Sequence, residues 1–208
     1  MSYPFSASFL TEIGARCAAF PRIAYEGLDL KRSAVVIALM DAGDGSSETA
    51  FLLTRRAAKL RSHAGQWALP GGRCDPGETL LQTGLRELKE ELGVTLPEHR
   101  VLGVLDDYVT RSGYAITPMV AWLDDASDLS PNPDEVVSTH TFRLDHIGRE
   151  EAVEFLTIPE SDRPVIRLHI GDSVVHAPTA APLYQLRELA AGRITRVSEL
   201  EQPVFAWR

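Results

Sequence analysis

The chain has little with which to cross-link itself, coat a nucleic acid or enter a bilayer. Two cysteines in 208 residues, Cys17 and Cys74, form neither a disulfide framework nor a zinc-ligand spacing, which suits a reducing compartment and makes each a filler residue. Cation is scarce: 21 Lys and Arg stand against 29 Asp and Glu, a net charge of −8, and an acidic surface is repelled by polyphosphate backbones and anionic membranes. Neither nucleic acid nor a membrane is therefore expected as a partner. No apolar run approaches the roughly 18 residues needed to span a bilayer. The opening MSYPFSASFLTEIGARCAAF has no basic segment leading into a continuous apolar stretch, so no signal peptide is expected and the cytoplasm is the expected location. Low-complexity tracts and internal repeats are also missing. What remains is a globular composition, 44% hydrophobic and 24% charged, long enough for one large domain or a core with added terminal segments.

Residues 6 to 20 place Phe9, Leu10, Ile13 and Cys17 at helical spacing, with Ser6 or Ser8 as the N-cap. SAVVIALM (33 to 40) and TAFLLTR (49 to 55) are β-rich runs across the polar loop DAGDGSSE. A long basic loop is expected from residue 56 to 65, ahead of the turn-rich PGGRCDPGE. Leu81, Leu85, Leu88 and Leu92 then form one stripe of a helix over 78 to 92, closed by Gly93 at the position where a left-handed residue is usual. VLGVLDDYVT and YAITPMVAWL predict a hairpin in which Pro118 implies an edge or a bulge, because proline cannot donate to the ladder. Another strand is expected at 135 to 144, a hairpin about Gly171-Asp172, and a last helix from about Thr179 to Gly192. Hairpins mixed with flanking helices predict the α/β class, with a mixed sheet between helices.

The helix over 78 to 92 carries Glu87, Glu90 and Glu91 on the side away from its leucines. Carboxylates three and four residues apart are neighbours on a helix, and two charges about 6 Å apart at an effective dielectric of about 20 repel by roughly 3 kcal/mol before screening. Exposed pairs with Arg86 and Lys89 each return only about a few tenths of a kcal/mol. A divalent cation reverses the sign, and oxygen-only ligands with room for water suit Mg²⁺ or Mn²⁺. Just upstream, Leu69-Pro70-Gly71-Gly72 lets backbone approach the helix without a Cβ clash.

Gly72, five residues, Glu78, seven residues, Arg86-Glu87-Leu88, one residue, Glu90-Glu91, one residue and Gly93-Val94 resemble the Nudix box, G-x5-E-x7-R-E-U-x-E-E-x-G-U, at every specified position. The resemblance implies an α/β/α sandwich that hydrolyses a nucleoside diphosphate linked to another moiety, using Mg²⁺ or Mn²⁺. It implies Glu87, Glu90, Glu91 and the Gly71 carbonyl as metal ligands, Arg86 as the group orienting the glutamates, and Glu78 as a support of the loop or a water-mediated ligand. In this family the general base is a glutamate of the box or one in a later loop; Glu135, opening a strand after SPNPD, is the candidate outside the box. On this reading residues 1–30 are an N-terminal helical segment packed on the core, 31–192 the Nudix domain and 193–208 a C-terminal tail, and family habit implies a homodimer.

Within an acidic chain, Arg55, Arg56, Lys59, Arg61 and His63 crowd into nine residues ahead of the glycines, a pattern fit for phosphate. The stretch LLTRRAAKLRSHAGQWALPGG resembles the coenzyme A pyrophosphatase motif L-L-T-x-R-S-x3-R-x3-G-x3-F-P-G-G, departing at Ala57, where the motif has serine, and Leu69, where it has phenylalanine. This implies cleavage of coenzyme A to 3′,5′-ADP and 4′-phosphopantetheine, with Arg56, Arg61, Gly72 and Glu78 on the substrate side. ADP-ribose, a dinucleotide or a nucleoside triphosphate is the alternative substrate, and a non-catalytic nucleotide sensor the alternative of another class. Trp67 is expected in the core. The closing Val204, Phe205 and Trp207 are expected to dock on this domain or on a second subunit.

Overall fold

The computed structural model describes residues 2–27, 29–57 and 65–206. Lys59, Arg61 and His63 lie outside them. Helix α1 (Ala7–Ala19) starts at Ser6, whose hydroxyl accepts the Phe9 N–H at 3.2 Å, and it buries the stripe Phe9, Ile13 and Cys17. Strands β1 (Lys31–Asp41) and β2 (Thr49–Arg56) pair antiparallel and are buried almost throughout, as strands covered on both faces must be. The short strands β3 (Trp67–Ala68) and β4 (Gly71–Arg73) follow, ahead of helix α2 (Leu80–Leu92). Then come β5 (Val101–Val104), β6 (Tyr108–Val109), β7 (Tyr114–Trp122) and β8 (Val136–Arg143). The short helix α3 (Leu144–Ile147), strands β9 (Val153–Ile158), β10 (Ser161–Ile170) and β11 (Ser173–His176), and helix α4 (Ala180–Ala190) complete the order.

The first eight strands form one mixed sheet in which β1 and β7 are the parallel pair. One face of β1 and β7, through Ala34, Val36, Ala38, Met119 and Ala121, packs on Leu88 and Leu92 of α2. Gly84 lets α2 lie close, since a Cβ there would overlap the Met119 methyl. The other face, through Ile37, Leu39, Val120 and Trp122, packs on Phe9 and Ile13 of α1, Leu183 and Leu186 of α4, and Ile166 and Leu168 of β10. Each fully buried leucine here contributes about 1.5–3 kcal/mol. The architecture is the expected α/β/α sandwich around a mixed sheet.

Three local expectations need correction. Pro118 is not at an edge: β7 runs between β1 and β5. Its missing N–H is absorbed because the neighbouring strand is interrupted there. Val104 stands opposite Met119 and Tyr108 opposite Ile116, leaving the break between β5 and β6 beside the proline. A separate three-stranded antiparallel sheet, β11-β10-β9, also forms, of which the sequence suggested only one hairpin. Finally, the glycine-rich turn is in part strand. β1 pairs with β2 at Leu39 to Asp41 but with β4 at Ser33 to Val35, and β2 meets β3 at Thr54 and Arg55. The two long strands diverge, and residues 67–73 fill the gap.

Candidate active site

The acidic helix is fixed at both ends. Thr79 and Gln82 form a capping box, the Thr79 hydroxyl accepting the Gln82 N–H at 3.2 Å and the Gln82 side chain accepting the Thr79 N–H at 2.9 Å, which stabilises the first turn by about 1 kcal/mol. Gly93, at φ 73°, ends it in the left-handed conformation. Just before the cap, the Glu78 carboxylate accepts from Arg86 Nε at 2.8 Å, the Asp75 N–H at 3.0 Å and the Thr83 hydroxyl at 2.9 Å. The Arg86 guanidinium first, and then these neutral donors, hold its pKa down at about 2. Arg86 spreads the rest of its fork over Glu87 and Glu90, both at 2.9 Å, and the Arg73 carbonyl at 3.0 Å. It therefore ties the loop after β4 to the helix and sets the direction of two carboxylates.

The three glutamates are not equivalent. Glu90 is exposed and spends its carboxylate on Arg86. Glu87 is half-buried, and burial, partly offset by Arg86, raises its pKa. Glu91 is 4% exposed; burial pushes its pKa up to about 7 although the Gly71 N–H donates to it at 3.1 Å and Arg56 lies 4.0 Å away.

Glu135 arrives from the turn that leads into β8. Asn132 and Ser130 donate their N–H groups to the carbonyls of Glu91 and Leu92, both at 2.8 Å, so the loop carrying SPNPD is stitched to the end of α2. The Glu135 carbonyl accepts the Ala57 N–H at 2.8 Å, which joins it to the end of β2 as well. Glu87, Glu91 and Glu135 thereby offer one oxygen each within 4.8 Å of one another. Such separations match the oxygen spans around a single divalent ion, about 3–5 Å, whereas bare carboxylates this close repel by about 3 kcal/mol per pair at an effective dielectric of 20. A buried carboxylate with a raised pKa beside two others is the donor set a hard cation fits. Glu90 lies outside this set of three.

Both glycines are required by contact. A Cβ at Gly72 would overlap the Glu87 carboxylate, and one at Gly71 the Ala34 carbonyl. They also line a cavity of about 800 Å³ together with Arg55, Arg56, Trp67 and Arg73. Consecutive residues of a strand normally face opposite ways. Here Arg55 and Arg56, the last two residues of β2, both line the same cavity. Arg55 lies 3.9 Å over the Trp67 ring, whose edges meet His140 and Phe142, so Trp67 serves the core and the cavity wall at once. Arg56 Nε is buried with no hydrogen-bond partner among the described residues. Trp67 and Arg73 carried no sequence signal for this site beyond their closeness to the glycines, whereas Arg55 belonged to the basic run expected to meet phosphate.

The elevated Glu91 pKa sets a testable pH dependence. Between about 4.5 and 7 the folded chain keeps a proton that the unfolded chain releases, so this contribution is full below about 4.5 and is lost as pH rises through about 7. At one pKa unit per 1.36 kcal/mol the loss amounts to about 3 kcal/mol. Glu78, held near 2, acts in the other direction and only as pH falls below about 4.5. Denaturant unfolding in EDTA is expected to show stability declining from pH 5 to 8, and Mg²⁺ or Mn²⁺ to offset the decline. A flat profile that cations do not alter would contradict it.

An α/β/α sandwich here gathers carboxylates from a helix and from the turn before a strand against two close-packed glycines, beside an arginine-lined cavity. The chain belongs to the Nudix family: the NUDIX domain model matches residues 30–167. It is 34% identical over 129 residues to Nudix hydrolase 3 of Caenorhabditis elegans, covering 57% of this chain and 54% of that one. It is 46% identical over 87 residues to the uncharacterized Nudix hydrolase NudL of Photorhabdus laumondii, covering 41% and 46%. The chain thus spans about half the length of the curated relatives it matches. The crystal structure of a MutT/nudix family protein from Enterococcus faecalis shares the fold at TM-score 0.56 and 19% identity, over 87% of this chain and 66% of that one. RenU, a Nudix hydrolase from M. smegmatis, does so at TM-score 0.52 and 23% identity, over 80% and 90%.

Proposed function

We propose that this chain hydrolyses the phosphoanhydride bond of a nucleoside diphosphate derivative with the help of a divalent cation, coenzyme A being the first candidate. The observation that carries the reading is the set of three carboxylates within 4.8 Å, adjoining glycines that line a cavity with Arg55, Arg56 and Arg73. Glu87 and Glu91, with Glu90 and the Gly71 carbonyl in the shell the family pattern implies, would hold Mg²⁺ or Mn²⁺. The bound cation would stabilise charge on the phosphoryl oxygens and lower the pKa of the attacking water. Glu135, within the same carboxylate group, accepts the proton as water oxygen bonds to phosphorus and the bridging oxygen leaves with the other half. Arg86 keeps Glu87 oriented, and Arg56, its Nε unpartnered, meets the phosphates. Arg61 belongs to the same phosphate-binding motif and lies outside the described residues.

Coenzyme A is favoured by the match of Leu52 to Gly72 with the motif of that subgroup. Its two departures are buried: Ala57 is 3% exposed at the junction of β2 with Glu135, and Leu69, 5% exposed, keeps an apolar residue in the core. A panel of coenzyme A, ADP-ribose, dinucleotides and nucleoside triphosphates, assayed with Mg²⁺ and Mn²⁺ and read by mass spectrometry, tests this. The expected result is 3′,5′-ADP and 4′-phosphopantetheine from coenzyme A, abolished by EDTA. If coenzyme A persists while another compound is cleaved, the substrate assignment falls. If nothing is cleaved, hydrolysis falls and the sensor reading takes its place.

A further inference from the structure

Part of the cavity wall lies beyond the family match. That match ends at residue 167, yet Val174, His176, Pro178 and Phe205 face the same space as Gly71, Gly72 and Arg56. The wall is anchored at several points. The Thr179 hydroxyl donates to the Trp67 carbonyl at 3.1 Å, linking the start of α4 to the short strand ahead of the glycines. After α4 the chain returns along β10, where the Glu201 N–H donates to the Pro164 carbonyl at 2.8 Å. The Glu201 carboxylate, 1% exposed, accepts from Arg111 and Arg163 at 2.7 Å and from the Ser161 hydroxyl at 2.9 Å. Gln202, equally buried, accepts the Arg111 N–H at 2.8 Å. This ionic clamp fixes the backbone that leads to Phe205.

Phe205 does not dock as its hydrophobicity suggests. It is 56% exposed and meets His176 in a T-shaped contact, with ring centroids 5.2 Å apart and planes at 81°. Trp207 lies outside the described residues. Among the described residues no core packing accounts for this more than half-exposed ring on an anchored cavity wall, but such a ring matches what the π-face of a nucleobase needs.

We infer that Phe205, steadied by His176, is the stacking platform for the base of the nucleotide whose diphosphate lies beside Glu87 and Glu91, an inference that rests on the proposed function. It makes Phe205 a specificity-determining residue that this chain adds from outside the matched domain. The platform acts on the base alone, so it is separable from the phosphate and cation contacts.

Calorimetric titration of the full chain with ADP and with inorganic pyrophosphate tests it. Phe205→Ala is expected to weaken ADP about thirtyfold, the middle of the range for losing one stacked base, and to leave pyrophosphate within about twofold. Phe205→Trp is expected to restore ADP binding. An exposed side chain leaves the fold intact when replaced. Unchanged ADP affinity in Phe205→Ala, equal weakening of both probes, or a wild type that binds no ADP would overturn the inference. These readouts do not depend on turnover. A chain that cleaves its substrate with Phe205→Ala binding ADP normally loses only the platform, while a chain that cleaves nothing yet loses ADP affinity on substitution loses only the hydrolytic reading.

Discussion

Glu91→Gln is expected to lower turnover by about a thousandfold and, in the same protein, to raise the stability of the cation-free fold at neutral pH by about 2–3 kcal/mol. The two effects have one origin. Glu91 is buried, and above about pH 7 its negative charge is kept out of water with, among the described residues, the Gly71 N–H and a guanidinium 4.0 Å away to compensate. Glutamine retains an oxygen for the Gly71 N–H and carries no charge, so the cost disappears together with the affinity for a cation. Single-turnover kinetics and denaturant unfolding in EDTA at pH 7.5 measure both. Retained turnover would remove Glu91 from the cation site. Lost turnover with a lowered stability would mean that the residue is structural. The pH slope expected of the wild type should also vanish in this variant, which separates Glu91 from other groups titrating in the same range, such as His176, whose pKa burial lowers.

Gly72→Ala is the second large effect. Its Cβ would overlap the Glu87 carboxylate, the movable end of a flexible side chain, so the fold yields cheaply while the site does not. Glu87 must swing away from Glu91 and Glu135 and from its 2.9 Å contact with Arg86. A displacement of about 1 Å at a reacting centre commonly costs about a hundredfold, and that loss in kcat is expected with a midpoint of thermal unfolding within a few degrees of the wild type. Mn²⁺ titration should show affinity weakened about tenfold or more, the range seen when the support of a metal ligand is removed. Full activity in Gly72→Ala would show that Glu87 does not need the position it occupies.

How much of this was legible beforehand depends on how local each feature is. The helix of the acidic box, its Thr79 and Gly93 boundaries and the approach of Gly72 are encoded within 22 residues, where the period of 3.6 and the conformational demands of single residues act directly. The strand runs 33 to 40 and 49 to 55 were equally plain, because burial on both faces demands continuous apolar sequence. Pro118 misled, since its tolerance depends on a break in a neighbouring strand that the proline's own surroundings do not record. The grading of the glutamates could not be read either: Glu90 and Glu91 are adjacent, and the approach of Gly71, Arg56 and the 130–135 loop from elsewhere in the chain accompanies the burial of Glu91 while Glu90 stays in water.

By itself, then, the sequence determined the carboxylate-bearing helix, the glycines that let it approach the sheet, the sandwich class and the membership that the box spells out. Tertiary structure alone decided that Glu135 joins Glu87 and Glu91, that Arg55 and Arg56 line one cavity, and that residues between 174 and 205 form part of its wall. The physical reason is range. Helix period, caps and turn glycines are set by neighbours a few residues away, whereas desolvation of a charge and the walls of a cavity are set by whatever the chain brings back from tens of residues off, which no local pattern specifies.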